Sequence, residues 1–315
     1  MDNILWLSEI NEEHINLVGE KALKLSMLYK KGFPMPQAFI ITNNCFKGFL
    51  ENNNIKRKIY SLLLNLNVNN FKLLQIKVKE INEIIKKAEF SEKLKAEILE
   101  NYSHMDADHE LLKKTSRTVL DIIRTGRSLP YAALRSSMIS KEYNHITYLN
   151  VRGISSLIAN IKNIWGYFFN FDSIYYRNKN NISHDVNVSI IMQKMINSEK
   201  SGIVYYDNGI RIESLYGMFE YLGNNSKDYY LVDDNLYIKE KKINNKNLYL
   251  TRDEFGNSAR KILDEDKKNS QVLSDDDIKK LSEYYKRLKE FYKKDIRFEF
   301  AVENSKIYIL DVKEN

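Results

Sequence analysis

Two carboxylates near the C-terminal end of the chain have the spacing and surroundings of a cation site. Glu299 lies between two phenylalanines, and Asp311 follows the apolar run Tyr308-Ile309-Leu310. Both stretches alternate apolar and polar residues in the way that is typical of β-strands. A hairpin of these two strands would place the carboxylates side by side. Oxygen ligands of this kind suit Mg²⁺ that also carries substrate phosphates.

The polar run Glu303-Asn304-Ser305-Lys306 between the two strands predicts the turn of this hairpin. Lys313 would point to the same side as Asp311, because side chains alternate along a strand. Two carboxylates and a lysine on an otherwise apolar sheet are costly unless they bind something. The alternative is an edge hairpin whose charges are solvated, and these residues alone leave both interpretations open.

Two cationic side chains follow predicted strands in the N-terminal half of the chain. Lys21 ends the motif Leu-Val-Gly-Glu-Lys where a helix begins, and a helix N-terminus offers N–H groups and partial positive charge to phosphate. Arg135 directly follows the apolar strand at residues 131–134, and a guanidinium can bind phosphate through two hydrogen bonds. The alternatives are a solvated lysine and an ordinary ion pair. Neither a P-loop nor a Gly-x-Gly-x-x-Gly motif is present.

Residues 189–196 are typical of a buried strand that ends in a polar crossover, Gln193 to Ile196. Such a strand can offer backbone N–H and C=O groups to the edge of an adenine base, and the alternative is an ordinary core strand. Glu220 is a single carboxylate in a turn, and by itself it is weak evidence for a site. The histidines lack the spacing of metal ligands; they are His14, His104, His109, His145 and His184.

Composition sets the broad class of the protein. The chain has 315 residues, of which 43% are hydrophobic, and this is enough for one large domain or two lobes. Its net charge of +7 favours an anionic partner, but the charge is spread along the chain, so we do not expect nucleic acid. The single Cys45 excludes an internal disulfide and fits a reducing cytosol. No signal peptide and no apolar run long enough to span a membrane is visible.

Strand-like and helical stretches alternate along the chain, which predicts an α/β or α+β fold. The predicted strands near the N-terminus are residues 4–7 and 38–42. The predicted helices are residues 22–31, a Lys-rich helical segment at about 54–127, a helix at about 154–177, and a helix from about 275 to 294 that follows a capping box.

Taken in order, these motifs resemble the N-terminal nucleotide-binding domain of the phosphoenolpyruvate synthase, pyruvate phosphate dikinase and rifampin phosphotransferase family. The resemblance covers essentially the whole chain. The segments that match family motifs are residues 17–21, 32–42, 134–137, 147–151, 192–196, 201–202, 217–220 and 297–314.

The resemblance implies an ATP-grasp fold with a lobe at residues 1–185, a second lobe at residues 186–315, and a nucleotide cleft between them. The helical segment at about 54–127 would be an insertion in the first lobe. The implied cofactors are ATP and Mg²⁺. The implied roles are Lys21 and Arg135 on the triphosphate, Gln193, Lys194, Met195 and Ile196 on adenine, Glu220 near the phosphates, Glu299 and Asp311 on Mg²⁺, and Lys313 on the transferring phosphate.

Several positions depart from the family pattern. Glu20 replaces a glycine and places a negative charge next to where phosphate should lie, and Phe219 replaces another glycine. A long glycine-bearing loop of the family is shortened to residues 138–146. Asp311 and Lys313 stand where the family has glutamine and arginine, which keeps ligand type and charge but not geometry. Arg297 could also form an ion pair with Glu299 and withdraw it from the metal.

The preferred function is ATP- and Mg²⁺-dependent phosphoryl transfer. The chain contains no counterpart of the family's histidine-bearing domain, so we expect phosphate to pass to a histidine on a separate chain or to an unusual acceptor. The alternative is a degenerate ATP-grasp module that binds nucleotide or a partner protein without turnover. Glu20 and the short loop favour this alternative. The cations Lys21 and Arg135 and the carboxylates Glu299 and Asp311 favour the enzyme.

Overall fold

The computed structural model describes residues 2–105, 129–139, 145–219 and 227–314. Part of the predicted helical segment, and Glu220 among the predicted site residues, lie outside these ranges. The chain divides into unit 1, which is Met1–Lys30 with Gln37–Met195, and unit 2, which is Lys31–Pro36 with Ile196–Asn315. The lobe boundary drawn from the resemblance stays a prediction. Among the described helices, none is long and apolar enough to cross a membrane.

A five-stranded antiparallel sheet forms the centre of unit 1. Its strands are β1 (Ile4–Trp6), β2 (Ala38–Ile41), β3 (Ala132–Ser137), β4 (Thr147–Val151) and β5 (Ser189–Lys194). They lie in the order β1-β2-β5-β3-β4, and each pair is antiparallel. Strand β5 therefore lies between β2 and β3, which places the predicted adenine segment in the middle of the sheet.

Unit 1 also contains seven described α-helices. They are α1 (Ile15–Lys30), α2 (Asn43–Asn52), α3 (Lys56–Leu63), α4 (Phe71–Lys87), α5 (Glu92–Ser103), α6 (Ile154–Tyr167) and α7 (Phe171–Lys179). The prediction of a single helix at 154–177 is wrong, because helical structure stops after Tyr167 and a new helix begins at Phe171. The side chain of Asn170 accepts a hydrogen bond from the Ser173 N–H and so caps the start of α7.

One face of the five-stranded sheet packs against the main apolar core. Phe39, Leu134 and Met192 form one cross-strand row on this face, and all three are fully buried. The core also contains Trp165 of α6, whose ring stacks on Phe90 with centroids 5.3 Å apart. Burial of this face fixes the register of β2, β3 and β5, since a slip of one residue would turn the row outward.

Unit 2 is built on a six-stranded antiparallel sheet and a separate two-stranded ribbon. The six strands lie in the order β13-β12-β6-β7-β8-β9, and β10 pairs with β11. The strands are β6 (Lys200–Tyr206), β7 (Ile210–Tyr216), β8 (Asp228–Val232), β9 (Ile238–Lys242), β10 (Leu248–Arg252), β11 (Ser258–Ile262), β12 (Ile296–Glu303) and β13 (Lys306–Glu314). The mixture of helices and antiparallel sheets confirms the predicted α+β class and is consistent with an ATP-grasp fold.

Two helices belong to unit 2, α8 (Glu265–Lys268) and the longer α9 (Asp275–Tyr292). The predicted capping box is present: Ser274 accepts from the Asp277 N–H, and Asp277 accepts from the Ser274 N–H. Helix α9 packs on β12, β6 and β7 through buried apolar residues that include Leu281 and Leu288. One face of the six-stranded sheet is covered in this way, and the polar side chains of β12 and β13 lie on the other face.

A buried ion pair ties β8 to two loops of unit 2. Asp228 and Lys246 are fully buried, with 2.6 Å between the Asp228 Oδ1 and the Lys246 Nζ. The carboxylate also accepts hydrogen bonds from the N–H of Asn244, the N–H of Val272 and the hydroxyl of Tyr230. Loss of the cation would leave a desolvated carboxylate, which is the costly way to break such a pair.

We therefore expect Lys246→Met to lower the free energy of unfolding by about 3 to 5 kcal/mol, the usual cost of removing one partner of a buried pair. Lys241→Met is the matched control, because Lys241 pairs with Asp275 at a solvent-exposed position where ion pairs contribute little. Urea denaturation of the parent and both variants measures the difference. Equal small losses in the two variants would contradict the expectation.

Candidate nucleotide-binding site

Helix α1 is interrupted at Gly19, and the interruption packs against the end of strand β3. Gly19 has φ 78° and ψ 166°, a conformation that glycine adopts readily. A Cβ atom here would lie 2.6 Å from the backbone nitrogen of Met138. The N–H of Glu20 donates to the carbonyl of Met138, and the N–H of Ala22 donates to Ser137 Oγ, each at 3.1 Å. The glycine therefore allows the helix to approach the strand closely.

This contact changes what the start of the helix can offer to phosphate. The sequence predicted that backbone N–H groups beside Lys21 would face an anion. The N–H groups of Glu20 and Ala22, on either side of Lys21, already donate to Met138, directly after β3, and to Ser137 at its end. Phosphate binding here would therefore depend on the partly exposed Lys21 side chain and not on these two N–H groups.

Arg135 and Gln193 lie on the face of the sheet that α1 covers. Ser137 points to α1, and Arg135 is two residues earlier on the same strand, so it points the same way. Gln193 is directly opposite Ala133 on β3 and Ala38 on β2. Ala133 and Arg135 are two residues apart on β3 and so point to the same face. The structure therefore places Arg135 and Gln193, both predicted ligands, on one face of the sheet of unit 1.

The side chain of Gln193 is buried between two alanines and carries an unused donor. Only 1% of the residue is exposed, and its Nε2 has no hydrogen-bond partner among the described residues. A buried amide donor of this kind costs free energy unless a ligand or water completes it. Its two cross-strand neighbours, Ala38 and Ala133, are small and buried and offer the amide no side-chain hydrogen-bond partner.

The rest of the predicted adenine segment is arranged differently from Gln193. The N–H of Lys194 donates to the carbonyl of Gln37, and the N–H of Met195 donates to the carbonyl of Tyr131, each at 2.8 Å. The Lys194 side chain lies on the opposite face from Gln193 because strand residues alternate. Ile196 is buried and begins the second stretch of unit 2. The N–H groups of Lys194 and Met195 are thus used within the sheet.

The predicted C-terminal hairpin is present in unit 2. Strands β12 and β13 are joined by the predicted turn, and Glu299 lies directly opposite Asp311. The next row places Arg297 directly opposite Lys313. The Glu299 side chain is 32% exposed, whereas Asp311 is 5% exposed. A β-bulge follows between Glu299 and Phe300 and separates these two rows from the apolar pairs beyond it.

These two rows place like charges opposite each other. Like charges in directly opposed strand positions destabilise a sheet. The diagonal contact between the Lys313 Nζ and Glu299 Oε1 is 4.0 Å, so it relieves little of this repulsion. The ion pair to Glu299 comes from Lys313 and not from Arg297, which the sequence had offered as its partner. A cation between the carboxylates and an anion at the bases would relieve both rows at once.

Sequence analysis missed Glu213, which belongs to the same cross-strand row. Ile203 on β6 is opposite both Glu299 and Glu213. The Glu213 carboxylate is held by the Lys227 Nζ and by the Tyr205 hydroxyl, each at 3.0 Å. Burial, and then the hydrogen bond to Glu213, raise the pKa of Tyr205 to about 12. The only sequence signal was the alternation of β7, which does not distinguish Glu213 from any solvated strand charge.

The donor set fits a metal that arrives with its substrate. Within the part of the chain that the structure describes, no group of three or more His, Cys, Asp or Glu side chains could hold a metal by itself. Glu299 and Asp311 supply two carboxylates in register. Mg²⁺ is usually held by one or two carboxylates together with phosphate oxygens and water, so this pair suits Mg²⁺ bound to a nucleotide.

Comparison with known proteins places the chain in a family. The model of the pyruvate phosphate dikinase, AMP/ATP-binding domain family matches residues 15–314. The chain belongs to this family. It is 33% identical over 98% of its length to a "Probable phosphoenolpyruvate synthase" of Archaeoglobus fulgidus and 29% identical over 99% to one of Methanocaldococcus jannaschii. The "Phosphoenolpyruvate synthase" of Pyrococcus furiosus is 26% identical over 98% of the chain.

The chain spans less than half of each of these relatives. It covers 41% of the Archaeoglobus protein, 26% of the Methanocaldococcus protein and 43% of the Pyrococcus protein. Among solved structures, the D-alanine–D-alanine ligase of Bacillus anthracis overlaps 64% of this chain and 48% of its own, with 10% identity and a TM-score of 0.28. The relatives therefore correspond to this family domain together with further sequence that the chain does not match.

The unused donor of Gln193 can be tested without a ligand, through the stability of the folded chain. Gln193→Met keeps the side-chain length and removes the unsatisfied amide, so the free energy of unfolding should stay constant or rise by up to about 1 to 2 kcal/mol. Gln271→Met is the control, because the Gln271 Nε2 donates to Leu273 O and to Asp275 Oδ1. Urea denaturation should show a loss only for the control. If Gln193→Met lowered the free energy of unfolding as much as Gln271→Met does, the Gln193 amide would have a hydrogen-bond partner and the expectation would be wrong.

Proposed function

We propose that this chain binds ATP with Mg²⁺ and acts as the nucleotide-binding part of a dikinase-type phosphotransferase. The observation that carries the proposal is the C-terminal hairpin, where Glu299 opposes Asp311 and Arg297 opposes Lys313. An acidic row beside a basic row matches the charges of a metal and a phosphate chain. Membership of an AMP/ATP-binding domain family supports the nucleotide as the ligand.

Each unit would contribute a different part of the recognition. In unit 1, Lys21 and Arg135 would neutralise the triphosphate, and the Gln193 amide would donate to the base. In unit 2, Glu299 and Asp311 would hold Mg²⁺. Variants of either set of residues should therefore weaken the binding of ATP.

The chemistry would be phosphoryl transfer stabilised by charge. Such transfer passes through a loose transition state whose charge lies on the phosphoryl oxygens, and it needs positioning and cations more than a protein nucleophile. Lys313, exposed at the end of the hairpin, would meet the transferring phosphate. Mg²⁺ would supply charge neutralisation between the phosphates. The acceptor would be a histidine on a separate chain or an unusual group, in keeping with the part of the relatives that this chain does not match.

A second candidate is a degenerate module that binds nucleotide or a partner protein without turnover. Glu20 favours it, because its carboxylate is attached next to Lys21 in the segment proposed for phosphate. The docking of the Glu20 and Ala22 N–H groups on β3 also removes two donors from that segment. Chromatography of mixtures with ATP, with and without a histidine-bearing family protein, measures the formation of ADP or AMP. An enzyme should form one of these products, whereas a degenerate module should leave ATP intact.

Calorimetric titration with ATP at saturating Mg²⁺ tests the proposed site. Lys21→Ala and Glu299→Ala should each weaken ATP binding by roughly 10- to 100-fold, because a hydrogen bond to a charged group contributes about 1.5 to 3 kcal/mol. Lys31→Ala and Glu283→Ala remove equal charges at exposed positions and should leave the affinity unchanged. ATP binding as tight in Lys21→Ala and Glu299→Ala as in the parent would show that the site is assigned wrongly.

A further inference from the structure

We infer that Ser137 is a positioning residue that fixes Lys21 relative to Arg135, an inference that rests on the proposed ATP site. Ser137 is fully buried at the end of β3, and its Oγ accepts a hydrogen bond from the N–H of Ala22 at 3.1 Å. Ala22 directly follows Lys21 in the chain. One hydroxyl thus joins the backbone beside one proposed phosphate ligand to the strand that carries the other.

A second serine supports this junction from the neighbouring strand. The Oγ of Ser189 lies 2.8 Å from the carbonyl oxygen of Ser137 and 2.5 Å from that of Val18. Ser189 is directly opposite Ser137 in the sheet, and both are buried. Water has little access to replace these hydrogen bonds, so losing one would leave a buried polar group without a partner. We call Ser137, Ser189 and Gly19 the serine latch.

The serine latch holds the backbone beside Lys21 against the strand that carries Arg135. Arg135 and Ser137 are two residues apart on the strand, about 6.6 Å, and point to the same face. Lys21 and Arg135 carry the same charge, so bringing both to a triphosphate works against their repulsion. Groups held in position before the ligand arrives lose less free energy on binding than groups that must be ordered by it.

The docking of α1 on the sheet does not depend on the serine latch alone. Ser26, five residues after Lys21 on the same helix, is also fully buried. Its Oγ lies 2.7 Å from the carbonyl oxygen of Leu7 and 2.9 Å from that of Ile10. Ser26 therefore anchors the helix without touching the strand of Arg135, which makes it a matched control for Ser137.

The test compares the binding of Mg²⁺–ATP and of adenosine by Ser137→Ala, Ser26→Ala and the parent chain. Adenosine lacks the phosphates, so the ratio of the two affinities reports the phosphate contacts alone. Ser137→Ala should lower this ratio roughly tenfold, about 1.4 kcal/mol, while leaving adenosine affinity unchanged. Ser26→Ala should leave the ratio unchanged, with a similar shift of the urea midpoint. Ser189→Ala should change the ratio in the same direction as Ser137→Ala.

A double-mutant cycle with Lys21→Ala shows whether Ser137 acts through Lys21. In the Lys21→Ala background, Ser137→Ala should change the ATP-to-adenosine ratio less than twofold, because the group that it positions is gone. A full tenfold loss in that background, or an equal loss in Ser26→Ala, would overturn the positioning role. If the parent binds ATP and Ser137→Ala leaves the ratio of ATP to adenosine affinity unchanged, only the role of the serine latch is refuted. A parent that binds neither ligand refutes the proposed function and this inference with it.

Discussion

Pairs of like charges on the C-terminal hairpin impose a cost that the rest of unit 2 has to offset. Glu299 faces Asp311, and the adjoining row places two bases opposite each other. The opposite face of β12 is anchored by Phe298 and Phe300, which are fully buried. Helix α9 packs on β12 and holds the register, since a slip of one residue would bury the charges and expose the aromatic rings. Burial on one face thus keeps an electrostatically unfavourable arrangement on the other.

Unit 1 solves a related problem with backbone contacts. Its two proposed phosphate ligands come from elements far apart in sequence, and the close approach at Gly19 brings the backbone beside Lys21 against the end of the strand that carries Arg135. Any side chain at that position would strike the end of β3. The unused amide donor of Gln193 and the Arg135 guanidinium share one face of unit 1, and the paired carboxylates belong to the hairpin of unit 2.

The sequence predicted the elements whose cause is local. Strand alternation and a polar turn were sufficient to place Glu299 opposite Asp311, and a serine three residues before an aspartate marked the start of α9. The docking of α1 on β3 was not predictable in this way, because Ala22 and Ser137 are separated by 115 positions. Glu213 was missed for a similar reason: only the pairing of three strands shows that it shares a row with the other carboxylates. Glu220 lies outside the described residues, and its role stays a prediction.

The central claim is that the paired carboxylates bind the metal that carries the phosphates. The most direct test measures ATP affinity of the parent chain and of Asp311→Asn by calorimetry over a series of Mg²⁺ concentrations. The account predicts that parent affinity rises to the micromolar range as Mg²⁺ is added, and that Asp311→Asn, which keeps the size of the side chain, loses most of this Mg²⁺ dependence. ATP affinity that is independent of Mg²⁺ in the parent, or equally dependent in both proteins, would contradict the account.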